Sequence, residues 1–257
     1  MAVKLNKGKN NKTRLDSFIV EKGFVKSRQR AKALIMAGKV LVNNVLADKP
    51  GTLIVDDAIV IVKQDDNPFV SRGGLKLEEA LKNIPISVKG FTCLDIGAST
   101  GGFTDCLLQY GAQKVYAVDV GYGQFDWSLR QDPKVVVIER TNIRHMPYDV
   151  INEKVDLVVA DTSFISLKTV IPSAQKFMRK ETQVLALIKP QFEAGRKNVG
   201  KGGVVKDPEI RKKVIQDLTF FFKEKGFKVN QVVPSPILGP KGNKEYIISL
   251  TFKENLK

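Results

Sequence analysis

The chain has 257 residues and a formal net charge of +15. This length predicts one large domain, or a small domain joined to a medium one, each with its own core. No window approaches the roughly 18 to 20 continuous apolar residues of a membrane helix, and residues 1–14 lack the apolar core of a secretory signal. With two cysteines and one histidine, we expect no disulfide framework and no metal site in a cytoplasmic protein.

The positive charge is concentrated near the amino terminus. Residues 1–49 contain twelve Lys or Arg residues against three acids, which gives +9. Such a concentration predicts a polyanionic partner. The alternative, a solubilising basic tail, accounts for Lys4, Lys7, Lys9 and Lys12 but not for the charges within the folded pattern that follows.

A small α+β domain is predicted for residues 1–63. Ser27 is placed to cap the second of two helices, while Gly23 and Gly38 are placed to end them. Short strands are expected at residues 40–42 and 59–62. Each helix is expected to bury an apolar face. The face of the first helix consists of Leu15, Phe18 and Ile19, and that of the second consists of Ala31, Leu34 and Ile35.

Basic residues cluster at the start of this second helix, where backbone N–H groups favour phosphate binding. The segments RLD, SRQRAK, AGKVLVNN and VDDAIV resemble the small RNA-binding domain first known from ribosomal protein S4. An ordinary helix pair with a solvated basic face is the alternative. The resemblance implies that RNA is bound in this domain by Arg14, Arg28, Arg30, Lys32 and Lys39.

Residues 64–70 are predicted to be a linker, since they are polar and Pro68 disfavours both a helix and a strand ladder there. Over residues 71–257 strands and helices alternate, which predicts a doubly wound Rossmann-like α/β sheet with its ligand crevice at the carboxyl ends of the strands. Asp207 and Pro208 predict the start of a helix that Gly226 ends. Strands are expected near residues 92–96, 114–118, 135–139, 156–160 and 184–188, with an antiparallel pair at 228–233 and 246–252.

The segment FTCLDIGASTGGFTD at residues 91–105 is typical of a strand that ends in a glycine-rich turn and opens a helix. Its spacing is neither that of a nicotinamide site nor that of a Walker loop. Asp95, just before the first glycine, suits a cofactor with a cationic amino-acid group. Asp119, at the end of the next strand, is placed to accept hydrogen bonds from ribose hydroxyls. S-adenosylmethionine fits both features. The alternative is a tight strand-to-helix turn of any α/β domain.

Charged residues stand at several strand ends beyond this turn. Asp161 and Lys189 close two predicted strands, Glu245 begins the last one, and Lys76 lies before the first. A single charge at a strand end is usually a solvated cap. Taken in chain order around such a turn, the four residues Lys76, Asp161, Lys189 and Glu245 resemble the K-D-K-E tetrad of FtsJ-like ribose 2′-O-methyltransferases.

The whole chain resembles the TlyA family of bacterial rRNA 2′-O-methyltransferases, historically called haemolysins. The motifs are VSRGGLKL, DIGASTGGFTD, YAVDVG, TNIR, ADTSFISL, IKPQFE and GNKEY. The resemblance implies S-adenosylmethionine as cofactor and rRNA or ribosomal subunits as partner. It assigns Gly97, Ser99, Gly101 and Phe103 to the methionine end of the cofactor, Asp119 to its ribose and Asn142 to its adenine. Asn142 and Ser99-Thr100 depart from the wider FtsJ-like group, which has an acid and Ala-Pro there.

The implied chemistry needs no metal, because the sulfonium already activates the methyl group. A ribose hydroxyl must lose its proton, and a lysine whose ammonium form is disfavoured by a second lysine can take it. The resemblance therefore assigns the base to Lys189 and the positioning of the 2′-oxygen to Lys76, with Asp161 and Glu245 orienting the two lysines.

Residues 194–206, AGRKNVGKGGVVK, form the segment that we call the glycine-basic loop. It predicts a lid that gathers RNA backbone through Arg196, Lys197 and Lys201, together with Arg72. A disordered surface loop is the alternative. Two other functions remain open: a ribosome-assembly factor that binds RNA without catalysis, and a pore-forming haemolysin, for which the sequence offers no hydrophobic span.

Overall fold

A computed structural model describes residues 12–25, 27–62 and 67–253. It divides into two compact units, Met1–Asp66 and Asn67–Lys257. The positions Lys4, Lys7 and Lys9, as well as residues 64–66 of the expected linker, lie outside the described residues.

The first unit is built from short helices and three-residue strands. β1 and β4 form one antiparallel pair, and β2 lies between β3 and β5 in an antiparallel sheet. Its described elements are β1 (Lys12–Arg14), α1 (Leu15–Glu21), α2 (Arg28–Met36), β2 (Val40–Val42), β3 (Val45–Ala47), β4 (Leu53–Val55) and β5 (Val60–Val62).

Local chemistry explains these helices and their ends. The Ser27 hydroxyl accepts the backbone N–H of Arg30 at 3.2 Å, so the expected N-cap of α2 is confirmed. Gly38, at φ +67°, follows the end of α2 in the left-handed conformation that glycine adopts without strain. Six apolar residues form the expected buried face: Leu15, Phe18, Ile19, Ala31, Leu34 and Ile35. The strands β1, β3 and β4 were not predicted.

A buried carboxylate joins the two helices of this unit. Asp16, fully buried on α1, accepts hydrogen bonds from Arg14 at 3.0 and 3.1 Å and from Arg28 at 3.2 Å. The bond from Arg14 lowers the pKa of the Asp16 carboxyl to about 2, against the opposing effect of burial. Two of the arginines assigned to RNA therefore also neutralise a buried charge.

The second unit is a seven-stranded sheet with helices around it. The strand order is β11-β12-β10-β9-β6-β7-β8, parallel throughout except for the antiparallel pairs that β12 makes with β10 and β11. Its elements are α3 (Gly73–Asn83), β6 (Thr92–Ile96), α4 (Gly102–Gln109), β7 (Lys114–Val118), α5 (Trp127–Arg130), β8 (Val135–Ile138), β9 (Val155–Ala160), α6 (Leu167–Ala174), β10 (Met178–Ile188), α7 (Pro190–Glu193), α8 (Pro208–Glu224), β11 (Phe227–Pro234) and β12 (Tyr246–Phe252).

This arrangement confirms the predicted fold class. The core strands begin and end within one or two residues of the expected positions, and Asp207 caps α8 by accepting the N–H of Glu209 at 2.8 Å. The exception is β10, which begins at Met178, six residues earlier than expected. Its early part contains a register shift and Glu181 at φ +68°, an irregularity that a period-2 pattern does not reveal.

Residues 67–70, which the sequence assigns to the linker, pack within the second unit. Phe69 is buried beside Gly74, where a β-carbon would lie 2.3 Å from the Phe69 ring. The Val70 N–H donates to Asp105 Oδ2 at 2.8 Å. Apolar burial and this bond fix the chain just before α3, the helix that carries Lys76.

Both cysteines, Cys93 and Cys106, are free and buried. In the described ranges, no helix is long and apolar enough to cross a membrane. The same residues contain no group of three or more His, Cys, Asp or Glu side chains suited to a metal ion.

We predict that Asp16→Asn loosens the first unit in a pH-dependent way. Because the folded-state pKa lies below the unfolded value of about 3.9, the carboxylate stabilises the fold above about pH 4, and this contribution is lost as pH falls towards about 2. Both arginine side chains are about half exposed, so water screens the pair and we expect a loss of about 1 kcal/mol at neutral pH.

Amide hydrogen exchange of α1 and α2 in the full chain measures this loss. The difference between wild type and variant should shrink as pH falls from about 4 to about 2. Asp48→Asn, a matched change at an exposed carboxylate, should leave exchange unchanged. Equal protection in the Asp16 variant at neutral pH would contradict the role of the buried pair.

Candidate active site

The glycine-rich turn between β6 and α4 brings two strand ends together. Gly97 has φ +81°, and a β-carbon there would lie 2.9 Å from the carbonyl oxygen of Asp161, the residue after β9. Gly101, at φ +94°, is the N-cap residue of α4, and a β-carbon there would lie 2.5 Å from the Leu129 side chain. Both positions therefore require glycine for space as well as for backbone conformation.

Asp119 follows β7 and holds this turn in place. Its carboxylate accepts the N–H of Ser99 at 2.8 Å, the N–H of Gly121 at 2.6 Å and the Gln124 amide at 3.2 Å. A carboxylate has about four acceptor sites, so these three bonds leave about one site for a ribose hydroxyl. Asp119 thus lies where the sequence expects it, at the carboxyl end of the strand beside β6.

Asp95 is fully buried near the end of β6. The Thr104 hydroxyl donates to its Oδ2 at 2.7 Å, while Oδ1 has no hydrogen-bond partner among the described residues. Burial raises the pKa of the Asp95 carboxyl to about 7, although the Thr104 bond opposes the shift. An unsatisfied acceptor at this depth suits a nearby cation or a polarised hydrogen-bond donor.

Two cavities open along the carboxyl edge of the sheet. One, of about 630 Å³, is lined by Asp119, Asn142 and the side chains around them. The other, of about 600 Å³, is lined by Lys76, Lys189 and Phe103. Four residues border both cavities: Gly97, Ser99, Asp161 and Ser163. The two cavities are therefore adjacent, and these four residues lie between them.

The four tetrad positions form two lysine–carboxylate pairs. Lys76 Nζ lies 2.6 Å from Glu245 Oε2, and Lys189 Nζ lies 2.6 Å from Asp161 Oδ1. Both lysine side chains are about one-tenth exposed. Glu245 is buried and does not itself line the cavity, whereas its partner Lys76 does. The structure thus brings the four residues to one place, with one carboxylate orienting each ammonium group.

Three polar residues that the sequence did not single out support this centre. Ser163 Oγ accepts a hydrogen bond from Lys189 Nζ at 2.9 Å. Glu193, on α7, accepts from the Ser166 hydroxyl at 2.6 Å and from the Leu167 N–H at 2.8 Å. Burial raises the pKa of the Glu193 carboxyl. The Ser166–Glu193 contact connects the segment after β9 to the segment after β10. These three residues lie in the motifs ADTSFISL and IKPQFE, but the motifs do not indicate which side chains contact each other.

The remaining site predictions occupy different surroundings. Asn142 lines the first cavity, where its Oδ1 accepts from Arg144. Arg72 is exposed at the mouth of the tetrad cavity. Arg196, Lys197 and Lys201 are exposed on the glycine-basic loop. Lys32 is exposed on α2 of the first unit, whereas Arg30 and Lys39 are half-buried.

Family models match both units of the chain. An FtsJ-like methyltransferase model matches residues 69–252, and an S4 domain model matches residues 13–60. These ranges fall within the second and first structural units, respectively.

Curated proteins and solved structures match nearly the whole length. A Bacillus subtilis (strain 168) protein named "Putative rRNA methyltransferase YqxC" is 47% identical, over 94% of this chain and 86% of its own. "16S/23S rRNA (cytidine-2'-O)-methyltransferase TlyA" of Mycobacterium tuberculosis (strain CDC 1551 / Oshkosh) is also 47% identical, over 93% and 90%. A solved structure titled "Putative hemolysin from Streptococcus thermophilus" superposes with a TM-score of 0.75 at 42% identity, covering 96% of this chain and 90% of that one.

These matches agree with the geometry of the site. The FtsJ-like model spans both cavities, and the similarity to TlyA extends from the first unit through the second. The chain therefore belongs to the TlyA family, in which an S4 domain is joined to an FtsJ-like methyltransferase domain.

Proposed function

We propose that this chain is an S-adenosylmethionine-dependent methyltransferase that modifies a ribose 2′-hydroxyl of structured ribosomal RNA in the cytoplasm. The observation that carries the proposal is the shared wall of the two cavities. A nucleoside in the first cavity positions its reactive end at Asp161 and Ser163, beside Lys189. Family membership supports the same reaction, because the M. tuberculosis relative is named for 2′-O-methylation of rRNA.

The residues fit the proposed cofactor. Asp119 accepts a hydrogen bond from the ribose of the cofactor, and Asn142 faces the adenine. Four residues form the turn around the methionine end: Gly97, Ser99, Gly101 and Phe103. Asp95 supplies negative charge below that turn, with an unpaired oxygen. S-adenosylmethionine, when bound, supplies a methyl group already activated by its sulfonium.

Lysine chemistry then prepares the hydroxyl. An ammonium group has three N–H donors, and Asp161 and Ser163 engage two on Lys189. Once the Lys189 ammonium has released its third proton to solvent, the amine accepts the 2′-hydroxyl proton, while the Lys76 ammonium, oriented by Glu245, holds the developing oxyanion. The ion pairs limit the rotamers of both side chains, so the oxygen meets them in one geometry.

The substrate class follows from charge and from the first unit. With +9 in residues 1–49 and an S4 domain over residues 13–60, this unit supplies phosphate contacts through Arg30 and Lys32, and further contacts come from Lys39 and the arginines that surround Asp16. Arg72 and the glycine-basic loop add basic side chains near the tetrad cavity. A folded RNA that contacts both units fits this distribution.

We predict that Lys189→Ala and Lys76→Ala each lower the single-turnover rate of methyl transfer by roughly 10² to 10⁴-fold, because their work is done mainly in the transition state. Affinity for S-adenosylmethionine and for RNA should change little. Lys82→Ala, an exposed position on the same helix as Lys76, is the matched control. A near-normal rate in either tetrad variant would assign the chemistry elsewhere, and a wild-type protein that binds both ligands without transferring methyl would support an assembly factor.

Cofactor affinity should depend on the ionisation of Asp95. Above about pH 7 the carboxyl is charged and attracts the cationic cofactor, so affinity should fall roughly fivefold to tenfold between about pH 7.5 and about pH 6. Calorimetry with S-adenosylmethionine measures this directly. Asp95→Asn should bind more weakly and without this pH dependence, whereas Thr104→Val, which removes the bond that lowers the pKa, should move the midpoint to higher pH. A flat wild-type profile would refute the role of Asp95.

RNA binding by the first unit should contribute to the salt dependence of RNA affinity. Arg30→Ala combined with Lys32→Ala should flatten the dependence of log K on log salt by about 0.7 to 0.9 for each phosphate that the variant no longer neutralises. Arg28 is left intact because it also holds Asp16. Filter binding with a matched control, Lys180→Ala combined with Lys228→Ala in exposed positions of the second unit, separates a local interaction from net charge. Equal slopes for both double variants would contradict the assignment.

A further inference from the structure

A buried asparagine connects the glycine-basic loop to a loop that lines the tetrad cavity. The segment between β11 and β12, residues 235–245, is here called the wall loop, because Ile237, Leu238 and Gly239 line the tetrad cavity. Asn243 belongs to this loop and is 3% exposed. Its Oδ1 accepts the N–H of Val205 at 3.1 Å, and its Nδ2 donates to the carbonyl of Gly203 at 2.9 Å.

The wall loop in turn encloses Glu245. The Gly239 N–H donates to the carbonyl of Asn243 at 2.8 Å, and the Ser235 N–H donates to the carbonyl of Glu245 at 2.9 Å. A β-carbon at position 239 would lie 2.0 Å from Glu245 Oε1, so the loop backbone packs directly against this carboxylate. The position of the loop therefore sets the position of Glu245, and through it that of Lys76.

Both loops carry exposed cations. Arg196, Lys197 and Lys201 lie on the glycine-basic loop, and Lys241 and Lys244 flank Asn243 on the wall loop. Lys241 also lines the tetrad cavity, in the left-handed conformation at φ +58°. Asn243 thus fastens two cation-bearing segments to one another beside the reactive lysines, where a polyanion can bridge them.

We infer that Asn243 is a positioning residue. When RNA phosphates bind to the glycine-basic loop and fix its position, Asn243 transmits this constraint through the wall loop to Glu245, and Glu245 transmits it to Lys76. The inference rests on the proposed function for its substrate. Both amide atoms of Asn243 are engaged by backbone of the other loop, so a shift of that loop cannot occur without moving Asn243 or breaking two buried hydrogen bonds. The coupling therefore acts on turnover rather than on ligand affinity.

Asn243→Ala tests this role, with Asn198→Ala as the matched control. Asn198 donates an amide hydrogen bond to the Ala194 carbonyl at 2.8 Å, entirely within the glycine-basic loop. At saturating RNA and cofactor, we expect Asn243→Ala to lower kcat roughly tenfold to hundredfold, while S-adenosylmethionine affinity stays unchanged and RNA affinity shifts less than about threefold. Asn198→Ala should retain near-wild-type kcat. Equal kcat values for the two variants, with an active wild type, would overturn the inference.

A double-mutant cycle separates coupling from general damage. Arg196→Ala with Lys197→Ala should lower both RNA affinity and kcat in the wild type, but in the Asn243→Ala background it should lower affinity with little further loss of kcat. A merely structural role predicts additive losses in kcat together with weaker cofactor binding. Additive losses would therefore contradict the inference.

Hydrogen exchange on the native protein gives a test that needs no Asn243 variant. Binding of rRNA fragments should protect residues 196–206 and also residues 237–245. In the Arg196→Ala, Lys197→Ala protein at saturating RNA, protection of residues 237–245 should fall to the level that direct contacts of Lys241 and Lys244 provide, and undiminished protection would refute the coupling. This measurement stands even where methyl transfer is absent, an outcome that would refute the proposed function instead.

Discussion

The candidate site depends on the close approach of two strand ends. β6 and β9 are parallel neighbours, so both end at the same edge of the sheet, and the turn after β6 passes against the carbonyl of Asp161. Only a residue without a side chain fits there, and Gly97 supplies it at a positive φ. This approach places Asp161 where it borders both cavities, the one lined by Asp119 and the one lined by the two lysines.

Charge balance explains how the four ionisable side chains of the tetrad are accommodated with little exposure to solvent. Lys76 and Glu245 are 169 positions apart in the chain, and the fold brings them to 2.6 Å. An isolated charge at this depth would carry a large desolvation cost, which a partner at hydrogen-bond distance offsets. The two pairs sum to zero charge, so the pocket gains reactive groups without a net buried charge. The same pairing restricts long side chains that otherwise have considerable rotamer freedom.

The sequence predicted strand ends better than it predicted side-chain partners. β6, β7 and β12 match their expected bounds, because short apolar runs bounded by polar or turn residues are a strong local signal. The tetrad was predicted by resemblance, and the structure brings the four residues together. The partners were not predicted: Arg14 and Arg28 share Asp16, Lys189 also contacts Ser163, and Ser166 bonds to Glu193. Arg14 lies only two positions from Asp16, but the other partners are 12 to 27 positions apart in the chain, and no local period indicates such pairs.

The supports around the tetrad follow from a geometric difficulty of sheet-edge sites. Strands fix the backbone at Lys189 and Asp161, but the segments beyond the strand ends are loops with few backbone ladder bonds. Buried polar contacts replace that ladder here: Glu193 binds the segment after β9, and Asn243 binds residues 203–205. A carboxylate or amide that is fully hydrogen-bonded in the interior is costly to displace, since each broken bond leaves an unsatisfied group. Neither Glu193 nor Asn243 lines either cavity, which explains why the spacing of the site motifs alone does not reveal these supports.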